Sequence, residues 1–172
     1  MEKGYIQVYT GDGKGKTTAA LGLALRAAGA GLGVYIAQFM KKGEFSEIRA
    51  LKRLSDRITV DQFGTGRFIK GKPVQEDIEA ARKGISAVRE VMSSGKYDVI
   101  ILEEANVAYG SGVLSEEELL GIIDEKPEGV ELLFTGRGGA PALLDKADLI
   151  TEMKAVRHYF EKGVGARTGI EN

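Results

Sequence analysis

Two spacings of apolar residues alternate along the chain. Residues 5–9, 33–39, 58–62, 99–102, 130–135 and 149–153 are short apolar or alternating runs, which predict strands. Between them, apolar residues recur at helical spacing. Leu21, Leu25 and Ala28 predict a helix over 17–28, stopped by Gly29-Ala30-Gly31. Phe45, Ile48, Leu51 and Leu54 predict one over 44–54. Ile78, Ala81, Ile85, Val88 and Met92 predict a long amphipathic helix over 74–94, closed by Gly95. Ser115 with Glu118 forms a capping box for a helix to residue 124, and a short helix follows at 142–146. Residues 63–73 and 154–172 have neither rhythm and are predicted as a loop and an irregular tail. Strand–helix alternation predicts an α/β fold of three layers, αβα, with a mainly parallel central sheet. Ligands bind such sheets beyond the carboxyl ends of the strands. Four chemically rich segments follow strands in this way: residues 11–16, 63–72, 103–112 and 136–141.

The first of these is Thr10-Gly11-Asp12-Gly13-Lys14-Gly15-Lys16-Thr17-Thr18. It has the layout of a phosphate-binding loop, or P-loop: strand, glycine-rich turn, then a helix opening at Lys-Thr. Glycine permits the backbone angles and close approach that wrap amides around an anion. The helix amides and the positive end of its dipole hold phosphate. Lys16 then reaches the phosphates, and the Thr17 hydroxyl binds Mg²⁺. The usual first glycine of the pattern is replaced by Thr10.

A length of 172 residues predicts one domain over 1–172, with no internal repeat or linker. A net charge of −1 gives no field that would draw the chain to nucleic acid or a membrane. Twenty-four glycines against 3 prolines predict many tight turns rather than disorder. Without cysteine, disulfides, thiolate metal sites and cysteine nucleophiles are excluded, and the lone His158 excludes a multi-histidine metal site. No apolar run is long enough for a bilayer, and Met1 leads straight into the first strand without a signal peptide, so the predicted location is cytoplasmic.

The strand Val99-Ile100-Ile101-Leu102 ends in Glu103-Glu104. A P-loop enzyme needs a carboxylate here to hold Mg²⁺, directly or through water. Neighbours on a strand point to opposite sides, so one carboxylate faces the metal while the other anchors a neighbouring loop. A solvated strand end is the bland alternative.

With both parts in place, the chain resembles the P-loop type ATP:corrinoid adenosyltransferases along nearly its whole length. The run Gly11 to Ala20 is similar to that family's phosphate loop, including the missing first glycine. Leu133-Phe134-Thr135-Gly136-Arg137-Gly138, the strand Ala147 to Met153 and the stretch Val156 to Glu171 match its later signatures. Arg26 matches an arginine on the family's first helix. Three departures stand out. Glu103-Glu104 replaces the usual Asp-Glu, leaving Glu104 at the family's glutamate as the better Mg²⁺ candidate. Gly66-Arg67-Phe68-Ile69 replaces a tryptophan-containing run whose aromatics help displace the lower ligand of cobalt, and Phe68 is the candidate substitute. A polar N-terminal helix found in some members is missing.

The resemblance implies a RecA-like P-loop fold that transfers the 5′-deoxyadenosyl group of ATP to cobalt(I) of a corrinoid and releases triphosphate. Cobalt(I) is a strong nucleophile, so no catalytic base is needed, which suits a chain with no recognisable nucleophile–base pair. Lys14, Lys16 and Glu104 are the implied catalytic residues. Gly11, Asp12, Gly13, Lys14, Gly15, Lys16, Thr17, Thr18, Arg26 and Arg137 are implied in ATP binding. Thr17, Glu104 and Glu103 are the implied Mg²⁺ ligands. Phe63, Arg67, Phe68 and Ile69 are the corrinoid candidates, with Lys70 and Lys72 as further basic contacts. For Arg26 an exposed helix arginine is the alternative reading; for the apolar loop residues, packing onto the core; for the basic ones, a solvated loop. His158 reads as a packing residue, since the reaction requires cobalt to lose its lower ligand. A homodimer and a flavoprotein reductant are also implied. The rival readings are a nucleotide-hydrolysing switch or assembly factor acting on a protein partner, a small-molecule kinase, for which no arginine-rich lid is found, and a non-catalytic carrier.

Overall fold

The computed structural model describes residues 1–69 and 71–171. Six strands, β1 (Ile6–Thr10), β2 (Val34–Phe39), β3 (Ile58–Phe63), β4 (Val99–Glu103), β5 (Glu131–Thr135) and β6 (Leu149–Glu152), form one sheet in the order β3-β2-β4-β5-β1-β6. Every pairing is parallel. Helices α1 (Lys16–Gly29), α2 (Ser46–Leu51), α3 (Gln75–Ser93), α4 (Ala105–Gly110), α5 (Glu116–Asp124) and α6 (Pro141–Lys146) cover it.

Strand alternation divides the core into two layers. Val34, Ile36, Val99, Ile101 and Leu133 point to one face and pack on Ala20, Ala24 and Ala27 of α1 and on Leu51 of α2. Tyr35, Ala37, Ile100, Leu102, Leu132 and Phe134 point to the other and meet Ile85 and Val88 of α3, Leu119 and Ile122 of α5 and Leu143 of α6. A sheet buried on both faces explains why β2, β4 and β5 are apolar almost throughout. By contrast β6 lies at the edge and is exposed along its length. Among the described residues, no helix is long and apolar enough to cross a membrane.

The predicted capping box at α5 is present: Ser115 Oγ accepts from the Glu118 amide at 3.2 Å, and Glu118 Oε2 from the Ser115 amide at 2.8 Å. Three details differ from the sequence expectation. The helix expected over 44–54 is α2 followed by a 3₁₀ turn at Lys52–Leu54. A helix at Ala105–Gly110 was not expected, because six residues are too few to show a helical rhythm. The tail contains a 3₁₀ turn at Tyr159–Lys162 and returns to the carboxyl edge of the sheet, where residues 169–171 approach the phosphate loop.

Candidate active site

The phosphate loop leaves β1 at Thr10 and enters α1 at Lys16. Gly11 and Gly15 have φ of 94° and 123°, a region that favours glycine. Contact with the end of β6 fixes the loop's shape. The Gly13 amide donates to the Met153 carbonyl at 2.7 Å, and the Met153 amide to the Thr10 carbonyl at 2.8 Å. A Cβ on Gly11 would lie 2.4 Å from that Met153 oxygen, and one on Gly13 2.7 Å. Glycine is therefore required at both positions by the neighbouring backbone. Lys16 spans its own loop, its Nζ donating to the carbonyls of Gly11 at 2.6 Å and Gly13 at 2.8 Å. Partial burial and the nearby Arg137 lower its pKa from the usual lysine range. The Thr10 hydroxyl donates to the Gly138 carbonyl, which draws the Gly136–Gly139 turn alongside. From that turn Arg137 Nε reaches to 3.9 Å from Asp12, both side chains being largely exposed. Thr18 is exposed at the mouth of the same space.

Of the two carboxylates, both read from the sequence as Mg²⁺ candidates, it is Glu103 that meets Thr17. The Thr17 hydroxyl donates to Glu103 Oε1 at 2.6 Å. Alternation is the reason: Val99 and Ile101 face α1, and Glu103 continues that row. Glu104 leaves the strand with φ 61°, the left-handed region, and enters the cavity as the residue before α4. Its amide donates to Thr135 Oγ1 at 3.0 Å. Burial, followed by the adjacent Glu103 charge, pushes its carboxyl above the usual range, against the pull of Lys41, Lys16 and Arg137. Glu103 is fully buried and its Oε2 has no hydrogen-bond partner. A buried, half-satisfied carboxylate beside a P-loop threonine suits a cation. Among the described residues no three acidic or histidine side chains converge into a metal cage. That donor set fits Mg²⁺, which keeps waters and substrate phosphates around one or two protein ligands.

A cavity of about 1010 Å³ opens above these groups. The P-loop, Phe68 and Ile69 from the loop after β3, and Ile170 and Glu171 of the tail all line it. Arg67 also lines it, and its guanidinium pairs with buried Asp77 of α3. The tail binds the P-loop directly. Lys14 Nζ donates to Glu171 Oε1 at 2.7 Å and to the Tyr159 hydroxyl at 2.9 Å, while Arg167 pairs with the same carboxylate at 3.1 Å. Hydrogen bonds from Arg167, Lys14 and Tyr159 hold Glu171 well below the usual carboxylate range.

Not every candidate reaches this cavity. Phe63 turns inward, its ring 6.1 Å from that of Phe39 and against Gly84 of α3, so it is a packing residue. Arg26 is exposed near the end of α1, about 15 Å from Lys16 at a rise of about 1.5 Å per residue. Lys72 is exposed and outside the lining, and Lys70 lies outside the described residues. His158 lines the cavity, with its Nδ1 accepting from the Phe160 amide at 3.1 Å. Sequence reasoning missed Lys41, which pairs with Glu103, as well as Asp77, Tyr159 and the Lys14–Glu171 pair. Lys41 follows a strand end, as do the segments singled out above, and that position was the available signal.

A parallel sheet with a phosphate loop after its first strand, and a carboxylate on the loop's threonine, defines a P-loop nucleotide-binding protein. Solved structures agree on the fold. A KaiC-like protein of Pyrococcus horikoshii matches with a TM-score of 0.55 at 11% identity, covering 90% of this chain and 74% of that one. A RadB recombinase matches with a TM-score of 0.53 at 16% identity, over 91% and 77%. The particular family follows from sequence. The family model for "ATP:corrinoid adenosyltransferase BtuR/CobO/CobP" matches residues 2–172, and the chain belongs to that family. Relatives named corrinoid adenosyltransferase are 30% identical in Pseudomonas aeruginosa, over 99% of this chain and 84% of theirs, and 32% identical in Escherichia coli K12, over 99% and 86%. A Nostoc protein named only as uncharacterized is 38% identical, over 90% of this chain and 45% of its own length.

Proposed function

We propose that this protein transfers the 5′-deoxyadenosyl group of ATP to the cobalt(I) of a reduced corrinoid. The observation that carries the reading, beyond family membership, is the single cavity that joins the phosphate loop to an exposed aromatic at Phe68. The phosphate loop suits the triphosphate, and Phe68 with Ile69 suits a flat, largely apolar macrocycle.

In the reaction, cobalt(I) donates an electron pair to the ribose C5′. The Co–C bond forms, the C5′–O bond breaks, cobalt becomes formally cobalt(III), and the whole triphosphate departs with the oxygen and its charge. The chain's part is to position C5′ and neutralise the leaving group. Lys16 exchanges its loop carbonyls for phosphate oxygens, and the loop amides and the start of α1 cradle the chain. Lys14 releases Glu171 to join them. Thr17 and Glu103 would hold Mg²⁺, which supplies further charge neutralisation when bound. Arg137, exposed beside Asp12, adds a mobile positive charge. Phe68 and Ile69 face the corrinoid, Phe68 taking the place of the family's tryptophan. A homodimer, a flavoprotein that reduces cobalt, and a cytoplasmic setting complete the proposal.

Incubation with ATP, Mg²⁺ and chemically reduced cobalamin tests it. The expected products are a light-sensitive adenosyl corrinoid and intact triphosphate. Bound but uncleaved ATP would overturn the reading, and release of ADP with phosphate would replace it with a hydrolase.

A further inference from the structure

Lys41 has no part in the phosphate loop, yet several features aim it at the site. Strand β2 ends in buried Phe39, and the next residue, Met40, has φ 61°. Outside glycine, that conformation is uncommon and is kept where the surroundings enforce it. It carries the chain back over the end of β4. The loop after β3 then clamps Lys41: a Cβ on Gly64 would lie 2.5 Å from the Lys41 amide nitrogen and 2.8 Å from its carbonyl oxygen. The ammonium ends 3.2 Å from Glu103 Oε1, the oxygen that also accepts from Thr17. Among the described residues it is the one cation paired with Glu103.

The charges make this pairing conditional. Glu103 is buried, and its second oxygen is without a hydrogen bond, so removing Lys41 with nothing in exchange would leave an uncompensated charge. A divalent cation at Thr17 and Glu103 would supply that compensation and repel the ammonium a few ångströms away. The Lys41 side chain is 25% exposed and lines the cavity that also holds Lys16, so the flexible stem has somewhere to go. An incoming triphosphate provides the anionic oxygens.

We propose that Lys41 is an exchange cation, neutralising Glu103 in the nucleotide-free site and moving onto the triphosphate when a divalent ion takes its place. The role rests on reading Thr17 and Glu103 as the metal ligands. It makes Lys41 both a competitor of the metal and a contact of the leaving group, two effects of opposite sign that a merely structural lysine does not produce.

The test uses two probes on the full chain without corrinoid. Mn²⁺ alone is titrated by electron paramagnetic resonance of the free ion, and inorganic triphosphate is titrated as its Mn²⁺ complex by calorimetry, with Mn²⁺ held at a saturating concentration. Lys41→Met is expected to bind Mn²⁺ about fivefold more tightly, because the competing charge is gone. It is expected to bind triphosphate about tenfold more weakly, because a charge-assisted contact is gone. Lys41→Arg keeps the charge and stays near wild type in both titrations. Unchanged or weaker Mn²⁺ binding in Lys41→Met overturns the proposal, as does unchanged triphosphate binding. Lys41→Gln is read in the same way should Lys41→Met fail to fold. Glu103→Gln, expected to abolish Mn²⁺ binding, tests the metal reading by itself. Neither titration depends on adenosyl transfer, so failure of the transferase reading is told apart.

Discussion

Asp77 offers a sharp test of how the loop bearing Phe68 is held. Its carboxylate is 4% exposed and accepts from three donors. Thr65 donates at 2.8 Å, the Val74 amide at 3.1 Å as the cap of α3, and Arg67 through its guanidinium. These bonds tie residues 65, 67 and 74, and so the loop bearing Phe68, to one helix. Asp77→Ala removes the cap, about 1 kcal/mol. It also removes the Thr65 bond, about another 1 kcal/mol. Arg67 is half exposed and can return to water, so its pair adds at most about 1 kcal/mol. The sum is about 2–3 kcal/mol, which for a chain of this size lowers Tm by roughly 5–10 °C. Asp77→Asn can turn its amide so that oxygen faces Val74 and Arg67 and nitrogen donates to Thr65. It loses the charge but not the bonds, at a cost of about 1 kcal/mol. Burial alone would raise the Asp77 carboxyl; the bonds from Val74, Thr65 and Arg67 outweigh it and hold the carboxyl below its ordinary value of 3.8. A depressed folded-state pKa contributes stability that is complete above the ordinary value and is lost as pH falls through the folded one. The gap between wild type and Asp77→Asn should therefore be full at neutral pH and close in acid below the ordinary carboxylate range. Thermal melts followed by circular dichroism measure both the order and the closure. In kinetics, the Asp77→Ala loop should raise KM for reduced corrinoid while KM for ATP stays within about twofold, since the P-loop shares none of these bonds. An Asp77→Asn as damaging as Asp77→Ala, a gap independent of pH, or equal losses for both substrates would refute the reasoning.

Gly11→Ala forces a side chain onto a φ of 94° and into the Met153 carbonyl, so a loss of about 3 kcal/mol and of ATP binding is expected; a melt within 2 °C of wild type would count against it. Phe68, 84% exposed, should be replaceable by alanine with about 0.5 kcal/mol or less of stability lost, yet with KM for corrinoid raised about tenfold and ATP binding intact; unchanged corrinoid KM would remove it from the site. Glu171→Gln frees Lys14 from its carboxylate partner, so inorganic triphosphate should bind about threefold more tightly by calorimetry, and weaker binding would contradict a competing tail.

What could be read from the sequence followed from local rules. The six strands, their cover of helices and the capping box at Ser115 rest on spacing and on neighbours a few residues apart. The phosphate loop was legible for the same reason, since Gly11 to Thr17 act as one contiguous turn. The choice between Glu103 and Glu104 was not. Alternation says that the two point apart, but only the packing of Val99 and Ile101 on α1 says which one faces Thr17. Phe63 shows the same limit. It ends β3 among loop residues of similar character, and what sends it inward is the space that Gly84 leaves on α3, in contact with its ring. The tail is the strongest case. Nothing within residues 154–171 indicates that Glu171 returns to Lys14, because the bond joins positions 157 residues apart and depends on the path between them. That bond has two counterparts at the same cavity. Lys14 is occupied by Glu171, Lys16 by loop carbonyls, and Lys41 by Glu103. Three cations converge on one cavity, each held by an oxygen of the chain that a phosphate oxygen can replace. Without those internal partners the ammonium groups would repel one another across the cavity. On the proposed reading the triphosphate displaces these bonds, and local motifs cannot show them because each joins different elements of the fold or closes across a turn.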